Sequence, residues 1–163
     1  NQTANVESVP SSLASQSSRE NTPHQSPPDE AAGTMWYDMV PPGVADLQAI
    51  LASVSRSQET VVQFCQIFVG SEENSATALR RAHGTRSLSN LRHVAHRQCG
   101  TVKYFYAHPA ASALEDVVEC CDRNRTQGGD ADQLDRLVDV ACDKLTALND
   151  GLRAAVAAFA STA

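Results

Sequence analysis

The sequence predicts an all-α protein, a four- to five-helix bundle braced by disulfides and preceded by a disordered N-terminal arm. Three observations carry this reading. Leu134, Leu137, Ala141, Leu145, Leu148, Leu152, Ala155 and Phe159 recur at steps of three and four, which aligns them on one face of a long helix. No segment alternates apolar and polar residues convincingly, and the one β-looking run, Val102 to Tyr106, fits a helical seam equally well. Residues 1 to about 33 are dominated by Ser, Gln, Asn, Pro and Glu, a composition too poor in apolar surface to offset its ordering entropy. The division expected is an arm over residues 1–43 and a bundle domain over residues 44–163.

The elements follow in order. Met35-Trp36-Tyr37-Asp38-Met39-Val40 is a dense apolar patch at the end of the arm and holds the single Trp of the chain. It reads either as a lid folded back on the bundle or as a linear motif in which Trp36, Tyr37 and Met39 anchor a protein partner. A first helix is expected from Val44 to Val69, with Leu47, Leu51, Val54, Val61, Cys65 and Phe68 as its seam and Gly70 as its stop. Ser71 then caps a short helix from Glu72 to His83, with Gly84 past its end. Ser87 caps a third helix reaching about Ala107, with Leu88, Leu91, Ala95, Val102 and Phe105 inward. Pro109 enforces a break and starts a helix from Ala110 to about Arg123. Gln127-Gly128-Gly129 is the next turn, and Asp130 or Asp132 caps the long last helix.

At 163 residues the chain is long enough for one domain with its own core. With apolar residues at 42% and aromatics at only 5%, that core is built from Leu, Val and Ala. The five cysteines, Cys65, Cys99, Cys120, Cys121 and Cys142, suggest two disulfides and a spare thiol in an oxidising compartment. The competing reading is five buried thiols, since free Cys packs as a small hydrophobe. Asn1-Gln2-Thr3 and Asn124-Arg125-Thr126 are N-glycosylation acceptor patterns, the second expected in a loop. A processed, secreted chain is the expectation, with no segment apolar enough to cross a membrane.

The formal charge of -6 argues against non-specific nucleic-acid binding. Charge is unevenly spread, however. Between Asn74 and Leu114 all charged side chains are basic, among them Arg80, Arg81, Arg92 and Arg97, whereas the stretch from Glu115 to Asp150 is strongly acidic. Either the two stretches attract across a helix seam, or the arginines form a strip for an anionic ligand. His93, His96 and Cys99 spread too widely around a helix to share a tetrahedral metal, and no metal site is assigned. There is no nucleophile elbow and no paired carboxylates in an apolar setting, so an enzyme has no support among these motifs.

Tyr104 and His108 are four residues apart, a phenol and an imidazole at helical spacing. The run Tyr104-Phe105-Tyr106-Ala107-His108-Pro109 resembles the Tyr-x-x-x-His-Pro segment of the small helical haem-binding haemophore proteins of mycobacteria, with Leu114 at the apolar position after the Pro. The resemblance implies haem contact by Tyr104 and His108. It covers about a dozen residues, and the position of Cys99, the long arm and the other cysteines depart from that pattern. No cofactor is therefore assigned. The function expected is a secreted helical-bundle interaction protein, of effector, surface-antigen or cytokine-like type, that binds a protein partner without catalysis. The alternative is a small-ligand carrier holding haem or lipid between helices.

Overall fold

The structure is a computed structural model that describes residues 35–162. Residues 1–34 of the arm expected over residues 1–43, with the acceptor triplet at Asn1, lie outside the described residues. Six α-helices form among the described residues: α1 (Leu47–Ser53), α2 (Gln58–Gly70), α3 (Ala76–Gly84), α4 (Leu88–Lys103), α5 (His108–Gln127) and α6 (Ala131–Thr162). Single 3-10 turns occupy Trp36–Met39 and Glu72–Asn74, and no strand is present among the described residues. The bundle character expected from the sequence is therefore what the chain adopts, with one helix more than expected.

The extra helix comes from a break in the expected first one. Ser55 and Arg56 both take left-handed backbone (φ 56 and 62), which no helix interior permits, and the chain turns back between α1 and α2. Ser57 then starts α2, its hydroxyl accepting from the Thr60 amide at 3.3 Å. At the next junction Ser71 makes no side-chain cap. Ser75 does so instead, accepting from Ala78 N at 3.1 Å, so α3 begins later than expected. Ser87 caps α4 as expected, through Asn90 N. That helix stops at Lys103, because Tyr106 is left-handed (φ 50) and the chain reverses ahead of Pro109. Helix α5 consequently starts at His108, two residues earlier than expected, and runs on to Gln127.

Helix α6 is the centre of the assembly. It packs against α2, α3, α5 and the Trp36–Met39 turn, while α4 and α5 form an adjacent pair joined by a short connection. Leu145, Leu148, Leu152, Ala141 and Ala155 of the expected seam are completely buried, and Leu137 and Phe159 are half-buried at its edges. Two polar side chains are buried in the core. Gln98 donates through Nε2 to the carbonyls of Glu73 (2.7 Å) and Ser75 (3.0 Å), and Asn149 donates through Nδ2 to that of Asn74 (3.3 Å). They staple the 72–75 turn to α4 and α6 through its backbone carbonyls.

The disulfide bracing is a correction. All five cysteines are free and buried, on α2, α4, α5 and α6. They pack among the buried side chains of these four helices, Cys120 and Cys121 side by side on α5, with no sulfur bonded to another. The Cys99 and Cys142 thiols donate to the carbonyls of Ala111 and Ala76, both at 3.6 Å. Burial pushes the Cys65 and Cys121 thiols up to about 11. Packing of small apolar groups, not covalent bonds, joins α6 to its neighbours.

Candidate functional site

An apolar opening lies between α1, α2 and the end of α4. It is a groove of ≈ 460 Å³ lined by Ile50, Val54, Phe64, Ile67, Phe68, Tyr104 and Phe105, with Ser53, Asn74 and Thr101 at its polar edge. It is built from helices and the turns that end them. Ile50/Ser53/Val54, Phe64/Ile67/Phe68 and Thr101/Tyr104/Phe105 are three sets at i, i+3, i+4. One member of each set, Ile50, Phe68 or Phe105, is buried as the floor, and the Phe68 and Phe105 rings meet edge-on at 4.8 Å. The others stand up as walls: Phe64 is 45% exposed, Ile67 63% and Tyr104 79%.

The groove carries no ionised group in its lining. Two of its three hydroxyls are committed to their own helices, Ser53 donating to Ile50 O at 2.7 Å and Thr101 to Arg97 O at 3.1 Å. Two connections with left-handed non-glycine residues border it. Ser55 and Arg56 follow Val54, and Tyr106 follows Phe105. Such backbone costs on the order of 1 kcal/mol or more per residue and persists only where the surroundings enforce it. The two ends are also tied together, the Asp46 amide donating to Phe105 O at 3.0 Å, so that the start of α1 is pinned to the α4–α5 connection. The walls are thus held by a rigid frame.

The residues singled out from the sequence are placed as follows. Trp36 is buried, its ring edge-on to Phe159 (5.6 Å) and Tyr37 (5.5 Å), and its Nε1–H donates to Gln58 Oε1 at 3.1 Å. The segment is seated on the bundle, leaving Met35 and Met39 about half exposed and Tyr37 half-buried. Gly151 of α6 makes room for it, since a Cβ there would meet Val40 Cγ1 at 3.3 Å and Pro41 Cδ at 3.6 Å. Residues 35–43 thus pack as part of the folded domain.

Tyr104 and His108 do not share a helical face. Tyr104 caps the end of α4, His108 opens α5, and the turn between them separates the phenol from the imidazole; both are exposed. His108 stands at the start of α5, where the helix dipole favours negative charge. Three of the four arginines of the basic strip face carboxylates: Arg81 pairs with Glu72, Arg92 with Asp122 (2.7 Å) and Arg97 with Glu73 (2.9 Å). The Arg92 guanidinium holds the Asp122 carboxyl below its usual range. Arg80 has no ion pair among the described residues. Asn124 sits inside the last turn of α5 rather than in a loop, its amide over Gly129.

A second cleft, of ≈ 430 Å³ between α4 and α5, contains Cys99, Lys103 and Glu115. Lys103 Nζ is 2.6 Å from Glu115 Oε1, and the Cys99 thiol donates to the same oxygen at 3.7 Å. Burial pushes the thiol up and Lys103 holds the carboxyl down, so this trio is a neutral thiol beside a closed ion pair, without an activated nucleophile. Among the described residues no group of His, Cys, Asp or Glu is arranged to hold a metal ion, and no helix is long and apolar enough to cross a membrane.

The chain matches no family model, no curated protein and no solved structure. The groove therefore has to be judged by its own chemistry. Phe64 and Ile67 lie off the α2 seam of Val61, Cys65 and Phe68, so the helical periodicity does not mark them. Two large apolar residues on the wrong face of an amphipathic helix were the available signal.

Proposed function

We propose that this chain is a secreted, non-catalytic interaction protein that uses the groove between α1, α2 and α4 to hold an apolar element of a macromolecular partner. The observation that carries the reading is the cluster of Phe64, Ile67 and Tyr104, large side chains left exposed around an uncharged groove on a rigid frame. Aromatic and aliphatic anchors of this kind dominate the energetics of protein interfaces, and helix-spaced walls suit a helix ridge. A small-ligand carrier fits less well. Such sites enclose most of their ligand, whereas this groove stands open along its walls, and the phenol and imidazole of the haem alternative are on separate, exposed elements.

The test is a labelled amphipathic peptide with leucines at i, i+3, i+4 and i+7 and no net charge. Saturable binding, abolished by Ile67→Asp, supports the reading. A haem titration that instead gives a saturable Soret band, lost in Tyr104→Phe and His108→Ala, would replace it with the carrier. The extracellular setting rests on the acceptor triplets. It is checked by secretion from a eukaryotic host, where N-glycan removal should lower the mass of the chain but not that of Asn1→Gln/Asn124→Gln.

A further inference from the structure

We propose that the occupant of the groove is a second copy of this chain, docked about a two-fold axis. The proposal rests on reading the groove as a docking surface and supplies its partner. A two-fold interface uses one patch on both subunits, so that patch must carry both a hole and the knob that fills it. This one does. The hole is the ≈ 460 Å³ space floored by Ile50, Phe68 and Phe105, and the knobs, Phe64, Ile67 and Tyr104, stand on its own walls. A rotation that seats Ile67 of one copy between α2 and α4 of the other seats the reciprocal Ile67 at the same time. No second surface has to be supplied by another protein.

Electrostatics selects the same face. Each copy carries a formal charge of -6, so two copies repel wherever their acidic surfaces meet. The lining of the groove contains no Asp, Glu, Lys, Arg or His, which allows two like-charged molecules to approach there without opposing ionised groups. The area is adequate for a reversible contact. At about 200 Å² for a side chain of this size, the exposures of Phe64 (45%), Ile67 (63%) and Tyr104 (79%) amount to roughly 370 Å². That is nearly half of the ~800 Å² per partner of a standard interface, with Val54 and the groove edge still to be added. A weak dimer that forms only as concentration rises, rather than an obligate one, follows from an interface below the standard size.

The experiment is sedimentation velocity on the full chain from about 1 to about 200 µM, the window in which an interface of this class associates. The expected result is a mass that rises from one chain to two, with Ile67→Asp and Phe64→Ser each weakening association by about tenfold or more. Both variants should keep the circular dichroism and the Trp36 emission of the parent, because both side chains are substantially exposed. Tyr104→Ser, at the most exposed wall position, is the second line should either variant misfold. A single-chain mass at every concentration overturns the proposal, as does a doubled mass indifferent to all three substitutions. In the monomeric case the amphipathic peptide separates the two readings. Peptide binding lost in Ile67→Asp keeps the groove and assigns it to a different protein, whereas no binding removes groove and dimer together.

Discussion

The Trp36 segment is held so lightly that one glycine governs it. Burying Trp36 and Val40 contributes about 3 and about 1.5 kcal/mol. The edge-on contacts of the indole add about 1 kcal/mol and its hydrogen bond to Gln58 about 1 kcal/mol. Against this, fixing the backbone of the six residues from Met35 to Val40 costs about 1 kcal/mol each. The terms nearly cancel, leaving the segment docked by a margin on the order of 1 kcal/mol. Gly151 lies directly beneath, with Val40 Cγ1 only 3.3 Å from where a Cβ would stand. Gly151→Leu overpacks this contact by about 1–3 kcal/mol, enough to exceed the margin and release the segment. Because Trp36 is the only Trp in the chain, its emission reports the event directly. The variant should show red-shifted, readily quenched emission with helical circular dichroism retained. Gly151→Ala should keep the segment docked, since Val40 needs to yield by only a few tenths of an ångström while the helix gains up to about 1 kcal/mol in propensity. Blue, shielded Trp36 emission in folded Gly151→Leu would refute the reasoning.

Gln98→Ala removes both donations to the 72–75 turn, taking from Glu73 O its side-chain partner and leaving Ser75 O with the Leu79 amide alone, and opens a small cavity; a loss of about 1–3 kcal/mol in urea unfolding is expected, against under about 1 kcal/mol for an exposed position such as Ile67→Ser. Alkylation without reductant should modify five thiols in the unfolded chain and few in the folded one, and a disulfide-linked pair by mass would contradict the packing described. Stability should fall as pH rises from about 9 towards about 11. The folded chain holds the Cys65 and Cys121 thiols protonated up to about 11, above the ordinary value of 9.0, so their contribution is complete below 9 and is lost through that window; thermal unfolding of Cys65→Ala/Cys121→Ala should lack that part of the decline. Leu148→Ala, at the completely buried centre of α6, should cost about 2–5 kcal/mol.

Much of the architecture was legible in the chain. The 3–4 periodicity from Leu134 to Phe159 identified α6 and its inward face, because burial against neighbours on one side is what such spacing encodes. Ser87 and Asp130 were readable as helix starts for the same local reason, a side-chain oxygen meeting an amide three residues on. The break at Ser55 and Arg56 was not readable. Nothing in those residue types demands left-handed backbone, and it is the docking of α1 and α2 around Phe68 and Ile50 that enforces it. The cysteines misled for a related reason: composition counts sulfurs, whereas pairing depends on which seams face each other.

The candidate site divides in the same way. Phe64 and Ile67 stand off the α2 seam in the sequence, but an off-seam apolar pair becomes a groove only when α1 and the end of α4 arrive beside it. Tyr104 and His108 look like partners at helical spacing, and the reversal at Tyr106 separates them. The sequence by itself determined the all-helical character and the inward face of α6, since both follow from neighbours within a few residues. Only the tertiary structure decided which apolar faces found partners, which thiols stayed apart and which side chains were left exposed around a groove. Those outcomes depend on contacts between segments far apart in the chain, which local spacing does not record.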